Sequence, residues 1–331
     1  MSGTILKDLL NEYEIKKLHA EQLADEKKDK LMSTYPEFEK INSDIVKCGL
    51  NLSREKLESN NAENIDKLKE QLENLKKQKA DFLKSINMTE NDLLPKYECP
   101  ICKDTGYITN NGTSTMCSCL KQKLINISYN KSNINKLDTE NFSTFDINMY
   151  SDEVNEEKYH SSVSPRKNIL IIKKIIDDFL ANFDNPKGKN LLFTGSPGLG
   201  KTFLSNCIAK QLMDLGKIVL YQTAPIMLDN ILDCKFGKNN IPQNFLENIY
   251  NADLLIIDDL GTETMNNIKF TELFNVINTR ILNNKKTIIS TNLSIQNLFS
   301  IYDERIVSRI VGSYNICKFF GEDIRFKIRN I

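Results

Sequence analysis

A single glycine-rich segment constrains the fold of this chain more than any other feature. Residues 195–202 read Gly-Ser-Pro-Gly-Leu-Gly-Lys-Thr, which matches every position of the pattern G-x-x-x-x-G-K-[ST]. The short apolar run 190–194 precedes this segment, and residues 203–215, which follow it, have helical periodicity. Strand, glycine-rich loop and helix occur in the order that the pattern requires. The sequence therefore predicts a phosphate-binding loop between a buried strand and a helix.

Each residue type in this loop suits a bound nucleoside triphosphate. The glycines let successive backbone N–H groups point at phosphate oxygens, and the start of the following helix adds its positive dipole end. Lys201 supplies a positive charge to the β- and γ-phosphates, and the Thr202 hydroxyl is a ligand for Mg²⁺. We therefore expect ATP and Mg²⁺ as cofactors. The expected nucleotide-binding residues are Gly195, Ser196, Pro197, Gly198, Leu199, Gly200, Lys201, Thr202 and Phe203.

A second motif, of the Walker B type, supplies the carboxylates that an ATP site needs. Residues 253–259 read Asp-Leu-Leu-Ile-Ile-Asp-Asp, an apolar strand that ends in two acidic side chains. Asp258 is expected to orient Mg²⁺ through its water shell, and Asp259 to polarise the attacking water. Glu263 follows closely and is a candidate helper in catalysis. The alternative, which we favour, is that Glu263 is a helix-capping or surface carboxylate.

The sequence from Pro165 onward is typical of an α/β domain with a parallel sheet, because apolar strand-like runs alternate with helical stretches. Residues 287–292 form one such run, which ends in polar side chains. Farther on, Arg305 and Arg309 are spaced so that a helix places them on one face. The segments GSPGLGKT, LLIIDDLGTE, IISTN, ERIVSRI and FFGEDIR, in this order, resemble the AAA+ ATPase domain of DnaC/DnaI-type replicative helicase loaders.

The resemblance implies a role for each polar residue that follows the Walker B strand. Asn292 matches sensor 1, the polar residue at a strand end that positions the hydrolytic water. Arg309 matches the arginine finger that reaches the γ-phosphate of a neighbouring subunit, with Arg305 in support, and Arg325 matches the sensor 2 arginine of the same subunit. The resemblance thus implies an ATPase that forms a homo-oligomer on ATP binding. Its expected catalytic residues are Lys201, Asp258, Asp259, Asn292, Arg309 and Arg325.

The resemblance also implies two macromolecular partners, a replicative hexameric DNA helicase and the single-stranded DNA onto which it is loaded. In this family a helical insertion before Walker B lines the DNA path. The insertion corresponds here to residues 223–250, which include Lys235, Phe236 and Lys238. Two other functions stay open. One is an IstB-like ATPase that assists a transposase, and the other is an adaptor in which ATP only orders the domain.

A short segment before the α/β pattern resembles a linker that lies near the adenine in relatives. Its matching residues are Asn141, Phe142 and Phe145.

Residues 1–95 are rich in Lys, Glu, Asn and Leu and read as helical, with Pro36 expected to separate an earlier helix from a later one. In the later part, side chains step alternately by three and four residues, a heptad seam that Lys79 interrupts. The seam is short, so it predicts either an antiparallel helical hairpin or an extended coiled coil. The region is either a structural bundle or, as the layout and the resemblance imply, the part that binds the helicase. The seam consists of Ile65, Leu68, Leu72, Leu75, Lys79, Phe82 and Ile86.

Four of the eight cysteines crowd into residues 96–125, as Cys-Pro-Ile-Cys and Cys-Ser-Cys. Such turns can present four thiolates to one tetrahedral ion, and a Cys₄ set suits structural zinc. A redox pair and unmetallated cysteines are the alternatives. The expected metal ligands are Cys99, Cys102, Cys117 and Cys119 for zinc, and Thr202 and Asp258 for magnesium.

The length of 331 residues allows two or three domains. We predict a helical region over 1–95, a zinc module over 96–125, a Ser/Asn/Asp-rich linker over 126–165 and an AAA+ domain over 166–331. Lys plus Arg equals Asp plus Glu at 44 each, so net charge gives no argument for nucleic-acid binding. No apolar run approaches the length of about 20 residues that spans a bilayer, and the first residues lack the order of a signal peptide. We therefore expect a cytoplasmic protein.

Overall fold

The computed structural model describes residues 2–58, 62–110, 112–128, 136–237 and 244–328. The chain divides into two compact units, Gly3–Cys117 and Ser118–Ile331. The division falls inside the segment 96–125 that the sequence predicts as a zinc module. In the described ranges, no helix combines the length and the apolar character that crossing a membrane requires.

The first unit is helical, followed by a small hairpin. Its helices are α1 (Ser2–Thr34), α2 (Pro36–Glu58) and α3 (Ala62–Ser85), with a 3₁₀ turn at Glu90–Leu93 and strands β1 (Tyr107–Asn110) and β2 (Thr113–Met116). The prediction that Pro36 separates two helices is confirmed, because α2 begins at this residue. Proline suits the first helical position, since the N–H it lacks would have no partner inside the helix.

Helices α2 and α3 form an antiparallel hairpin. Near its open end the rings of Phe38 and Phe82 stack, with centroids 5.5 Å apart. Toward the connection between the helices, Cys48 Sγ lies 3.4 Å from the carbonyl oxygen of Leu68. Lys79 places its ammonium 5.7 Å from the Phe38 ring centroid, a cation–π arrangement. Of the two predicted forms of the heptad seam, the structure has the hairpin, and a ring partner accommodates the lysine that interrupts it.

The second unit is an α/β domain built on a five-stranded sheet in the order β4-β5-β6-β3-β7, with every neighbouring pair parallel. The prediction of a parallel α/β fold is confirmed. The strands are β3 (Asn190–Thr194), β4 (Val219–Thr223), β5 (Leu254–Leu260), β6 (Lys286–Thr291) and β7 (Tyr314–Lys318). The helices are α4 (Ser118–Ser128), α5 (Glu156–Tyr159), α6 (Pro165–Ala181), α7 (Lys201–Asp214), α8 (Ala224–Lys235), α9 (Phe245–Asn251), α10 (Asn267–Leu282), α11 (Ile295–Ile301), α12 (Glu304–Ser313) and α13 (Arg325–Ile328), with a 3₁₀ turn at Ile147–Met149.

Two hydrophobic clusters cover the two faces of this sheet. Successive strand side chains point to opposite faces, so that Leu192 and Ile257 lie in one cluster while Leu191 and Ile256 lie in the other. Both faces of the sheet are therefore buried, which explains why the sequences of the strands are continuous apolar runs. The polar residues that follow β3, β5 and β6 are left at the carboxyl edge of the sheet.

Helix α4 closes the free edge of the sheet at β4. The side-chain amide of Gln122 accepts a hydrogen bond from the Val219 N–H at 2.7 Å and donates one to the Val219 carbonyl at 2.9 Å. Gln122 is buried, so its amide takes the place of a neighbouring strand at this residue. Residues 136–165, the described part of the predicted linker apart from α4, also pack on the domain, with Leu137 and Tyr150 in its core.

Candidate functional site

The glycine-rich loop leaves the carboxyl end of β3 and leads directly into α7. Gly195 has φ 142°, and a Cβ there would lie 2.2 Å from the carbonyl oxygen of Phe319. Gly198 has φ 76°, and a Cβ there would lie 2.1 Å from the Asp323 carboxyl group. Both positions therefore require glycine for backbone conformation and for space. The segment that follows β7 packs against the loop, where the N–H of Ile324 donates to the Gly198 carbonyl at 2.9 Å.

Lys201 is buried in the cup of this loop. Its ammonium donates hydrogen bonds to the carbonyls of Gly195 at 2.6 Å and Ser196 at 2.8 Å, and to Asn292 Oδ1 at 2.8 Å. Burial lowers the pKa of Lys201 to about 8; the carboxylates around the site oppose this shift, and the charge of Arg325 adds to it. The loop removes the ammonium from water, which disfavours its charged form. A bound anionic phosphate would favour the charged form again.

The Asp258 carboxylate lies at the end of β5, beside the start of α7. Thr202 Oγ1 donates to Asp258 Oδ2 at 3.1 Å, and the N–H of Asp259 donates to Asp258 Oδ1 at 3.0 Å. A hydroxyl and a carboxylate oxygen next to a phosphate-binding loop are the hard ligands that Mg²⁺ prefers. Thr202 and Asp258 therefore fit the predicted magnesium site.

Asp259 and Glu263 have different surroundings. Asp259 is half-buried with φ 55°, and burial, followed by the nearby Asp258 charge, raises the pKa of its carboxyl group against the opposing effect of Lys201. Glu263 is buried; it accepts a hydrogen bond from the Gly261 N–H at 2.9 Å and another from the Tyr302 hydroxyl. Glu263 thus holds the turn after β5. It neither caps a helix, since Asn266 caps α10, nor lies on the surface, so the interpretation as a helix-capping or surface carboxylate is wrong on both points.

Arg325 lies on the nucleotide-site edge of the sheet. Its guanidinium pairs with Asp323, with Nε 2.9 Å from Oδ1, and its charge lowers the pKa of Lys201. Arg325 is therefore close enough to act electrostatically on the phosphate-binding lysine. The structure brings six predicted residues together at this edge: Lys201, Thr202, Asp258, Asp259, Asn292 and Arg325.

The two arginines of α12 have different partners. Arg305 donates to Asp303 through Nε at 2.9 Å, and its guanidinium lies 5.6 Å from the Phe274 ring centroid. Arg309 is exposed, and its side chain makes no hydrogen bond or ion pair with any residue in the described part of the chain. Arg305 is thus bound to Asp303 and lies over Phe274, whereas the exposed Arg309 is available to a second molecule.

The residues that resemble the adenine linker differ from one another in their contacts. Asn141 uses its side chain to close a local turn, since Nδ2 donates to the Asp138 carbonyl at 2.8 Å and Oδ1 accepts from the Ser143 N–H at 2.9 Å. Phe145 packs against Phe203 of α7, with ring centroids 6.3 Å apart. The Phe142 ring lies instead 4.5 Å from the ammonium of Lys173 on α6, so of the three residues Phe145 is the one with a ring contact to the nucleotide-binding helix.

Two tyrosines that contact the site escaped the sequence reasoning. The Tyr150 hydroxyl donates to the Leu199 carbonyl in the loop at 3.1 Å. The Tyr221 hydroxyl donates to the Asp258 carboxylate from the neighbouring strand. No local pattern marks either residue, because the order of the strands and the packing of 136–165 create both contacts.

The insertion between β4 and β5 contains α8 and α9. The ammonium of Lys235 is 2.6 Å from a carboxylate oxygen of the buried Glu272, so its charge is already paired. The Phe236 side chain is 67% exposed, and Lys238 lies outside the described residues. Of the two described members of this set, Lys235 is engaged in an ion pair, and Phe236 presents an exposed apolar ring.

The four clustered cysteines place their sulfur atoms within 4.8 Å of one another. Cys99 and Cys117 have sulfurs 3.9 Å apart, close to the separation of about 3.8 Å that tetrahedral ligands at 2.3 Å from zinc would have. The buried Asp104 carboxylate accepts hydrogen bonds from the backbone N–H groups of Glu98 and Cys99 and fixes this loop. The donor set therefore fits a structural zinc ion.

The comparisons with known proteins address the second unit above all. The profile of the family described as "IstB-like ATP binding protein" matches residues 172–329. "Replicative helicase loader DnaC" of Buchnera aphidicola subsp. Baizongia pistaciae is 29% identical over 155 residues, which are 46% of this chain and 61% of the relative. "Phage-like element PBSX protein XkdC" of Bacillus subtilis is 26% identical over 232 residues, 67% of this chain and 80% of the relative. The solved "Crystal structure of the DnaC helicase loader" is 27% identical with a TM-score of 0.42, over 49% of this chain and 94% of that chain.

The match to the Buchnera relative spans 61% of that protein's length. The matched region of this chain contains the phosphate-binding loop, the Walker B carboxylates and the strands that bring them together. Sequence similarity and site geometry therefore agree over the same residues. Over residues 172–329 the chain is similar to IstB-like ATP binding proteins and to proteins named DnaC, and the same residues form the phosphate-binding loop and the Walker B carboxylates of a nucleotide site.

Proposed function

We propose that this protein is an ATP-dependent loader that places a replicative DNA helicase onto single-stranded DNA. The observation that carries the proposal is the assembled site at the carboxyl edge of the sheet, in a domain similar to proteins named replicative helicase loader DnaC. The intact polar set around Lys201 supports hydrolysis as well as binding, and this argues against an adaptor in which ATP only orders the domain. A loader of this kind works in the cytoplasm.

In the proposed hydrolysis step, each residue of the site has one task. Lys201 and Arg325 hold the γ-phosphate, and Thr202 and Asp258 hold Mg²⁺, which when bound neutralises charge on the β- and γ-phosphates. Asp259 accepts the proton of the attacking water, a task that its raised pKa suits. The sixth residue, Asn292, orients that water from the end of β6.

The proposed cycle needs a second copy of the chain. Arg309 has no partner among the described residues of its own chain and reaches the γ-phosphate of the neighbouring copy. ATP binding therefore favours assembly of the loader, and hydrolysis favours its release. The homo-oligomer and the ATP site form one functional unit in this proposal.

The first unit offers the surface for the helicase. On α2 the apolar side chains of Val46, Leu50 and Leu57 lie on one face and are exposed by 61%, 58% and 86%. Exposed apolar side chains that share a helix face are typical of a protein-binding surface. The exposed ring of Phe236, in the insertion before β5, is the proposed stacking contact with a DNA base.

The test is capture of the host cell's purified replicative helicase by the full chain, with and without ATP. We expect wild-type protein to retain the helicase. The double variant Val46→Asp/Leu50→Asp is expected to lose it while keeping ATP binding. Lys47→Asp is the matched control, because it lies between the two apolar positions and lowers the net charge by the same amount. If the wild-type chain retains no helicase both with ATP and without it, the proposal is overturned.

The second candidate function is assistance to a transposase, which the description of the matched family as IstB-like favours. The same capture experiment with a purified IstB-partner transposase separates the two functions. Retention of transposase and not of helicase assigns the chain to transposition. The helical first unit and the cysteine cluster, which lie before the matched residues 172–329, favour the loader.

A further inference from the structure

Tyr221 is a buried tyrosine at the carboxyl half of β4, the edge strand next to β5. Its side chain is 3% exposed, and its ring belongs to the hydrophobic cluster on one face of the sheet. The phenol oxygen nevertheless reaches a polar partner, the Oδ2 atom of Asp258 at the end of β5. A buried hydroxyl that points at a functional carboxylate has a task beyond packing, since a phenylalanine would fill the same core.

The Asp258 carboxylate is held from three sides. Oδ2 accepts hydrogen bonds from the hydroxyls of Thr202 and Tyr221, and Oδ1 accepts one from the Asp259 N–H. The Thr202 hydroxyl is also the expected Mg²⁺ ligand, so its geometry changes when the metal binds. Tyr221 is the second hydroxyl donor to Oδ2, and it comes from outside the expected set of metal ligands.

The Tyr221 phenol is buried and donates its hydroxyl proton to the Asp258 carboxylate. A neutral, buried donor fixes a carboxylate without reducing its negative charge, which is what a metal-orienting group requires.

We propose that Tyr221 is a positioning residue that orients Asp258 for Mg²⁺ and thereby sets the magnesium requirement of nucleotide binding. This inference rests on the proposed ATP site and adds a residue to it. Tyr221 acts through side chains of the expected magnesium site, the Asp258 carboxylate first and the Thr202 hydroxyl beside it. Removal of its hydroxyl affects Mg²⁺-dependent steps and leaves metal-free nucleotide binding unchanged.

The experiment compares the full chain with its Tyr221→Phe variant. The affinity for a fluorescent ATP analogue is measured in EDTA and across a Mg²⁺ titration, and the Mg²⁺ dependence of turnover is measured in parallel. We expect the Mg²⁺ concentration at half-effect to rise about tenfold, the loss typical of one hydrogen bond to a charged group. The affinity in EDTA is expected to stay within about twofold, since the metal-free contacts are unaltered.

The matched control is Tyr314→Phe, which removes another buried phenol oxygen from the same sheet, at the opposite edge on β7. Its Mg²⁺ midpoint is expected to equal that of the wild-type chain. A double-mutant cycle with Asp258→Asn separates positioning from general loosening. In that background Tyr221→Phe should have little further effect on the Mg²⁺ dependence, even if the single variant melts at a lower temperature.

Two results would overturn the inference. One is a Mg²⁺ midpoint for Tyr221→Phe within about twofold of wild type, and the other is an equal shift in Tyr314→Phe. A wild-type chain whose nucleotide affinity ignores Mg²⁺ would overturn this inference and the proposed hydrolysis together. Failure of the wild-type chain to bind helicase, together with the expected Mg²⁺ shift in Tyr221→Phe, would overturn only the loader function.

Discussion

The ammonium of Lys201 donates a hydrogen bond of 2.8 Å to Oδ1 of Asn292, although 91 positions separate the two residues in the chain. The contact exists because β3 and β6 are parallel neighbours, with Thr194 opposite Thr291. The residues that follow the two strands therefore emerge side by side. A γ-phosphate that enters the site must replace Asn292 or one of the loop carbonyls as a partner of Lys201. Where Asn292 is the partner replaced, its amide becomes free to hold a water molecule.

This relationship predicts that Asn292→Ala impairs hydrolysis more than binding. The variant loses the group that orients water but keeps Lys201 and the loop, so kcat is expected to fall about a hundredfold, as after loss of a preorganised polar group. Nucleotide affinity is expected to change by less than about threefold. Steady-state turnover and equilibrium binding of a fluorescent ATP analogue measure the two quantities. The control is Gln296→Ala, because Gln296 also carries an exposed side-chain amide and also follows β6 in the sequence. An equal loss of affinity and kcat would contradict the assignment.

A second prediction concerns pH. Burial lowers the pKa of Lys201 to about 8 in the free protein, and a bound triphosphate is expected to raise it again. Between these two pKa values the complex holds a proton that the free protein lacks. The affinity for ATP should therefore be constant below pH 7 and fall above about pH 8, by up to tenfold per pH unit.

The measurement is calorimetry of ATP binding at pH 6.5 and pH 9 in buffers of different ionisation enthalpy, conditions that lie on either side of the pKa of Lys201. Proton uptake is expected at the higher pH only. The variant Lys201→Arg, whose guanidinium stays charged, should show none at either pH. Absence of uptake by the wild-type protein at pH 9 would show that Lys201 is protonated in the free site.

Most of the nucleotide site could be predicted from the sequence because its parts are local patterns on strands of one parallel sheet. The carboxyl ends of such strands share an edge, so the loop, Asp258 and Asn292 had to lie near one another once their strands were recognised. The helical hairpin was one of two readings, since a heptad seam does not distinguish a partner helix in the same chain from one in another chain.

The contacts that the sequence did not predict join segments with no shared pattern. The Tyr221 hydroxyl and Asp258 meet because β4 lies beside β5, and Gln122 meets Val219 across 97 positions. The burial of Glu263 depends on the Tyr302 hydroxyl, which comes from the far end of α11. Side-chain partners of this kind depend on strand order and helix packing, which periodicity does not specify.

The third prediction separates the two arginines of α12. Arg305 is paired with Asp303 and lies over Phe274, whereas Arg309 faces solvent. Arg309→Ala is expected to lower kcat by about a thousandfold or more, as loss of an arginine finger does, and Arg305→Ala by less than about tenfold. Turnover at a protein concentration that supports assembly measures both effects.

A mixing experiment shows whether Arg309 acts on a neighbouring copy. Lys201→Ala keeps Arg309 but loses its own nucleotide contact, and Arg309→Ala keeps the nucleotide contact. Each variant alone should be inactive, and their mixture should regain turnover, because the first variant supplies its arginine to the site of the second. A mixture that stays as inactive as its components would place the arginine outside the subunit interface.

The last prediction concerns the cysteine cluster, whose four sulfurs fit one tetrahedral ion. The purified wild-type chain should contain one zinc per chain by elemental analysis, and Cys102→Ser should lose it because three thiolates hold the ion far less tightly. Asp104→Ala should keep all four thiolates but weaken zinc affinity about tenfold, since the buried Asp104 fixes the backbone of Cys99. Cys234→Ser, outside the cluster, is the control and should retain full zinc.

The same cluster predicts the effect of a chelator on stability. A chelator should lower the melting temperature of the wild-type and Cys234→Ser proteins, which hold zinc, but not that of Cys102→Ser, which has already lost it. An unchanged melting temperature together with unchanged zinc content in Cys102→Ser would mean that these thiolates do not bind the metal.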